Sequence, residues 1–129
     1  ILGILAVTAA PKFIDLTGDA KASVVQAVEG SLNSAADMAH AKALVAGETS
    51  GDISIAGQTI TLVNGYPNAA TINLLMDIDT TNDFDYVTSG SKATYAHPKA
   101  TSAAGCVASY ENAADEFNKP AIASIISDC

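Results

Sequence analysis

The chain has 129 residues, enough for one hydrophobic core and too few for a second catalytic domain. Its net charge is −8, with six lysines and no arginine, so it lacks both the fork that grips phosphate and a basic patch for nucleic acid. Hydrophobic residues make up 49% of it but aromatics only 5%, with no Trp, which favours small side chains in close contact over a pocket walled by large ones.

The first ten residues, Ile1-Leu2-Gly3-Ile4-Leu5-Ala6-Val7-Thr8-Ala9-Ala10, carry no charge. A bilayer-spanning helix needs about 20 apolar residues, so this run does not span alone and reads as the tail of a longer apolar stretch. No basic region or Met precedes it, which argues against a signal peptide. A helical period continues from it. Phe13, Leu16, Ala20, Val24, Val28, Leu32, Ala35, Ala39 and Ala43 recur three or four apart, with Asp15, Asp19, Glu29 and Asp37 mostly off that stripe. Pro11 must kink the helix or locally break its ladder, and Gly47 is a natural terminator.

A helix over residues 1–46 is about 69 Å long at 1.5 Å per residue. A globule of this size is roughly 36 Å across, so about half of the helix lies beyond its own domain. The uncovered half is the apolar one, and in water it would be an aggregation site. Lipid or other copies of the chain must cover it. The domain reading is therefore a protruding apolar half at residues 1–22 and a globular head at 23–129.

Past Gly47 the pattern changes. Residues 48–52 are polar, and 53–55 and 59–63 alternate with β-branched side chains around an Ala56-Gly57-Gln58 turn. Asn64-Gly65 predicts a second turn, and Tyr66-Pro67 ends any strand there. Asn68 is a cap for a short helix with Ile72, Leu75 and Met76 on one face. Residues 77–91 read as a loop. Strands are expected at 92–96, 106–110 and 121–127, with a loop or helical turn at 111–118 between the last two. The fold class is α+β, a long N-terminal helix packed on a small antiparallel sheet.

Two cysteines, Cys106 and the terminal Cys129, form no CxxC pair. In a small acidic chain rich in Ser and Thr they read best as one disulfide made in an oxidising compartment, bounding the region 106–129. Asp77, Asp79, Asp83 and Asp85, with Asn82 among them, are four carboxylates in nine residues that repel one another unless a cation lies between them. They are a Ca²⁺ candidate, the only cofactor the sequence suggests. The pattern is not an EF-hand, since Asn82 stands where that loop needs Gly and Thr88 where it needs Glu. A solvated acidic loop is the plainer account. His40 and His97 have no spaced partner, and no GxSxG elbow or glycine-rich phosphate loop is present. Nothing here supports an enzyme.

The segment Gly3-Ile4-Leu5-Ala6 followed by Ala10-Pro11-Lys12-Phe13 resembles the second half of the N-terminal segment of type IV pilins. With Asp19-Ala20-Lys21-Ala22-Ser23 and the helix end Ala41-Lys42-Ala43, it looks most like the mannose-sensitive haemagglutinin group. The match covers about the first 47 residues; beyond it only the layout is similar. The resemblance implies that about ten residues, with the cleavage site and a Glu, precede Ile1. It also implies a filament whose core is made of helices, here Ile1, Leu2, Gly3, Ile4, Leu5, Val7, Pro11, Phe13 and Leu16. The partners it implies are copies of the same chain, the inner membrane before assembly, and the pilus assembly machinery. The location it implies is an extracellular pilus of a Gram-negative bacterium, used for surface attachment. A pseudopilin of a secretion system and a membrane-anchored binding module are the alternatives.

Overall fold

The computed structural model describes residues 17–129. The expected stretch from Ile1 to Leu16, which holds every proposed filament-core residue, lies outside the described residues. One helix, α1 (Thr17–Ala46), runs for 30 residues and carries seven strands on one side. Its end is built as the sequence predicts. Gly47 takes φ +70°, its N–H donates to the Leu44 carbonyl, and the Glu48 N–H reaches back to the Ala43 carbonyl. These two bonds make a Schellman motif and occupy carbonyls the helix leaves free.

The strands form two antiparallel sheets where one was expected. The first holds β1 (Gly51–Ile55), β2 (Gln58–Val63) and the two-residue β3 (Tyr66–Pro67). The second holds β4 (Asp85–Ser89), β5 (Lys92–Ala96), β6 (Val107–Glu111) and β7 (Ala121–Ile125), in that order. Two-residue turns close the first sheet. Ala56-Gly57 and Asn64-Gly65 all have positive φ, between 50° and 80°, the conformation that matches the twist of paired strands. Tyr66-Pro67 pairs with Leu62-Val63 instead of ending the strand region, because Pro is tolerated on an edge with its nitrogen facing away from the ladder.

The largest departure is β4. Asp85, Thr88 and Ser89 give it a polar look, and residues 77–91 read as loop for that reason. It is an edge strand whose inward residue, Tyr86, packs on Tyr95 with ring centroids 4.9 Å apart. That one cross-strand aromatic contact fixes its face.

The core follows the helix in two stretches. Val25, Val28, Leu32, Ala35 and Ala36 lie on the four-stranded sheet, against Ala93, Tyr95, Ala108 and Tyr110. Ala39 and Ala43 continue onto Ile55, Ile60 and Leu62 of the three-stranded sheet. The expected stripe holds from Val28 onward and fails before it. Val25 is buried while Ala20 and Val24 are exposed, since a step of three from Val28, not four, keeps the face turned inward.

Polar side chains tie the two sheets together. Tyr110 Oη donates to the Pro67 carbonyl, Asn64 Nδ2 donates to the Ala113 carbonyl at 2.8 Å, and the Ala69 N–H donates to Asn112 Oδ1 at 2.7 Å. Asn68 Oδ1 accepts from the Thr71 N–H and hydroxyl in the turn that leads into the 3₁₀ turn Ile72–Leu75, whose N-cap is Thr71 and not Asn68 as expected. Residues 111–118 form neither strand nor helix beyond Glu111.

Candidate functional site

Where α1 begins, it rests on the end of the chain. Cys106 and Cys129 are bonded, with Cα atoms 4.8 Å apart, and Cys106 is fully buried beside β6. The loop behind it is tight. The Asp128 N–H donates to the Gly105 carbonyl, and a Cβ at Gly105 would overlap Asp128 Cβ, Cγ and Oδ2. The terminal carbonyl carbon of Cys129 lies 3.7 Å from where a Gly18 Cβ would sit, so the disulfide makes a floor under the first turn of the helix. On the same side Lys21 Nζ donates to the Lys99 carbonyl at 2.7 Å. His97 accepts from the Lys99 N–H at Nδ1, and burial, with Lys21 and Lys99 nearby, pushes its pKa below the usual value. His97 is thereby a loop-former held neutral, with its proton on Nε2.

The other histidine is also structural. His40 stacks on Tyr66 with ring centroids 4.0 Å apart and Nδ1 2.7 Å from the Gly65 carbonyl, to which it donates. It clamps α1 to the second hairpin turn.

The acidic loop does not converge on a cation. Among the described residues no three Asp, Glu, His or Cys side chains are placed to share one. Asp79 spends its oxygens on the loop itself. Oδ1 accepts from the Thr81 and Asn82 N–H groups and Oδ2 from Asn82 Nδ2, and the Asn82 side chain is the main reason its pKa is lowered. Asp85 is carried off on β4, and Asp77 lies beside the helix at Ser31 and Ser34. Asp77, Asp79, Asp83 and Asp85 are all exposed, the arrangement of the solvated acidic loop that was the plainer account of the Ca²⁺ candidate.

Two surface features were not legible beforehand. Of the six described aromatics, Tyr66, Tyr95 and Tyr110 are buried and Phe84 and Tyr86 half-buried, but Phe117 is 87% exposed. It is displayed on a made turn. Asp115 accepts from the Phe117 N–H at 2.8 Å and from Asn118 Nδ2, and Lys119 pairs with Asp37 on the helix at 3.0 Å. Leu44, 66% exposed, lines the shallow cleft beside it with His40, Glu48 and Glu116. On the other flank of α1 an open groove of about 540 Å³ runs between Ser31, Ser34 and Met38 and the segment Leu75-Met76-Asp77.

Among the described residues no helix is long and apolar enough to cross a membrane. No family model, no curated protein and no solved structure matches this chain.

Proposed function

We propose that the chain is a structural subunit of an extracellular type IV pilus, polymerising through the helix that precedes its head and serving surface attachment. The observation that carries this reading is that an apolar segment stands directly before α1 in the sequence. The described helix has no buried residue before Val25, and the residues that lead into it, Ile1 to Leu16, include Ile1, Leu2, Ile4, Leu5, Val7 and Phe13. Burial of a few such side chains contributes several kcal/mol per subunit at about 25 cal/mol per Å², offset by the cost of ordering. Many such contacts hold a long polymer. The resemblance of the first 47 residues and the disulfide-bounded C-terminal segment point the same way. The secretion-system alternative leaned on a Ca²⁺ loop, and the carboxylates that it needed are dispersed.

Electron microscopy of protein sheared from the surface of the producing cells, with intact-mass spectrometry of the same sample, tests the reading. Helical filaments whose subunit mass is two protons below the reduced chain are the expected result. A monodisperse soluble monomer that keeps its apolar N-terminal segment would overturn it in favour of an anchored binding module.

A further inference from the structure

We infer that neighbouring subunits lock head to head through two different flanks of α1, with Phe117 of one copy seated in the Met38 groove of the next. The inference rests on the filament reading above and adds the contact between heads. At 100° per residue, the core stripe of Val28, Leu32 and Ala39 has His40 and Leu44 roughly 100–140° to one side, with Asp37 further round at roughly 160°. Ser31, Ser34, Met38 and Lys42 lie roughly as far to the other side. The knob and the groove are thus separate surfaces on opposite flanks of one helix.

An exposed Phe on a turn held by Asp115 and by the Lys119–Asp37 pair is a pre-ordered apolar knob, and its burial costs little loss of freedom. The groove has the matching shape: Gly30 and the small side chains of Ser31 and Ser34 leave it open, and Met38, Leu75 and Met76 give it apolar walls. Charge favours the same pairing. Asp115 and Glu116 flank the knob and Glu48 lines the cleft beside it, whereas Lys42 sits one helical turn beyond Met38. Lys42 makes no ion pair among the described residues, where Lys119–Asp37 is the one found. Asp77 is the single carboxylate on the groove lining. A contact between two unlike patches of the same chain is heterologous, and such contacts propagate into open helical polymers instead of closing as dimers.

The full chain assembled by its producing cells is the material for the test, with Ser34→Cys and Phe117→Cys in the same subunit. Both positions are exposed, so the head keeps its fold. Mild oxidation of the filaments should give a covalent ladder of dimers, trimers and longer species, and either single variant should give none. Lys42→Glu should cut filament yield about tenfold, and adding Glu116→Lys should restore most of it. Filaments from the double-cysteine chain without a ladder, or a charge swap that fails to restore yield, would overturn this contact and leave the filament reading intact. Absence of filaments from the unsubstituted chain would overturn both.

Discussion

Ala56 occupies φ 50°, a left-handed position, beside Gly57 at φ 78°. An L-residue with an ordinary side chain is held there at a cost of about 1 kcal/mol, which Asn largely escapes by bonding its own backbone. Ala56→Asn should therefore stabilise the protein by about 0.5–1 kcal/mol in urea unfolding. Asn64, at φ 53° in the companion turn, shows the converse. It already suits the conformation, and its Nδ2 holds the Ala113 carbonyl at 2.8 Å. Asn64→Ala should lose about 1–2 kcal/mol by removing both contributions. A gain at Ala56 and a larger loss at Asn64 would support the left-handed geometry as cause; no gain at Ala56 would show that strain there is negligible. Asn64-Gly65 was readable from sequence because the pair names its turn. Ala56 was not, since nothing about an alanine announces a positive φ.

At the scale of elements, two buried tyrosines carry the joints between layers. Tyr95 Oη donates to Asn73 Oδ1 at 3.0 Å beneath the 3₁₀ turn, and Tyr110 Oη donates to Pro67 of β3. Burial raises the pKa of both phenols well above the ordinary value of 10.0. A raised folded pKa means that the native state keeps its proton while the unfolded chain gives it up. The contribution is complete below pH 10 and is lost as pH rises past it, at about 1.4 kcal/mol per pH unit for each phenol. Urea midpoints between pH 9 and 11.5 should fall steeply, and Tyr110→Phe should flatten the fall by one phenol's share while lowering stability at pH 7. An unchanged slope in that variant would place the alkaline loss elsewhere, for instance at Lys119, whose pKa is raised by Asp37. The disulfide acts on β7 in a different way. Closing a ring of about 24 residues constrains the unfolded chain by about 3 kcal/mol. Cys129→Ser should cost that much and loosen the floor under Gly18, read as faster amide exchange in β7 and the first turns of α1. The elements themselves were largely legible, because α1 and the strands β1, β2, β5 and β6 follow plain periods of 3.6 and 2. The strand β4 hid because edge strands are kept polar against aggregation, and its one signal, Tyr86, has meaning only once Tyr95 is opposite it.

For the molecule as a whole, the sequence revealed the long helix packed on antiparallel strands and the cysteine pair. It did not reveal Phe117 as a surface feature, since an aromatic four residues from a predicted strand is as readily a core residue. In the acidic loop, spacing shows carboxylates near one another in sequence but not that Asp79 turns its oxygens onto its own backbone. The division of labour between helix and head leads to the last prediction. Among the described residues, the core that fixes the head starts at Val25. On the filament reading, a charge placed at Leu5 would be buried between neighbouring copies, where an unpaired ammonium costs several kcal/mol. Leu5→Lys should leave the circular dichroism and urea midpoint of the head unchanged while filaments vanish from micrographs. Because every subunit carries the substitution, the cost repeats at each contact, and even a few kcal/mol per subunit is enough to prevent growth. Normal filaments from that variant would mean that the segment is not buried between copies and that the polymer, if one forms, is held by the heads alone.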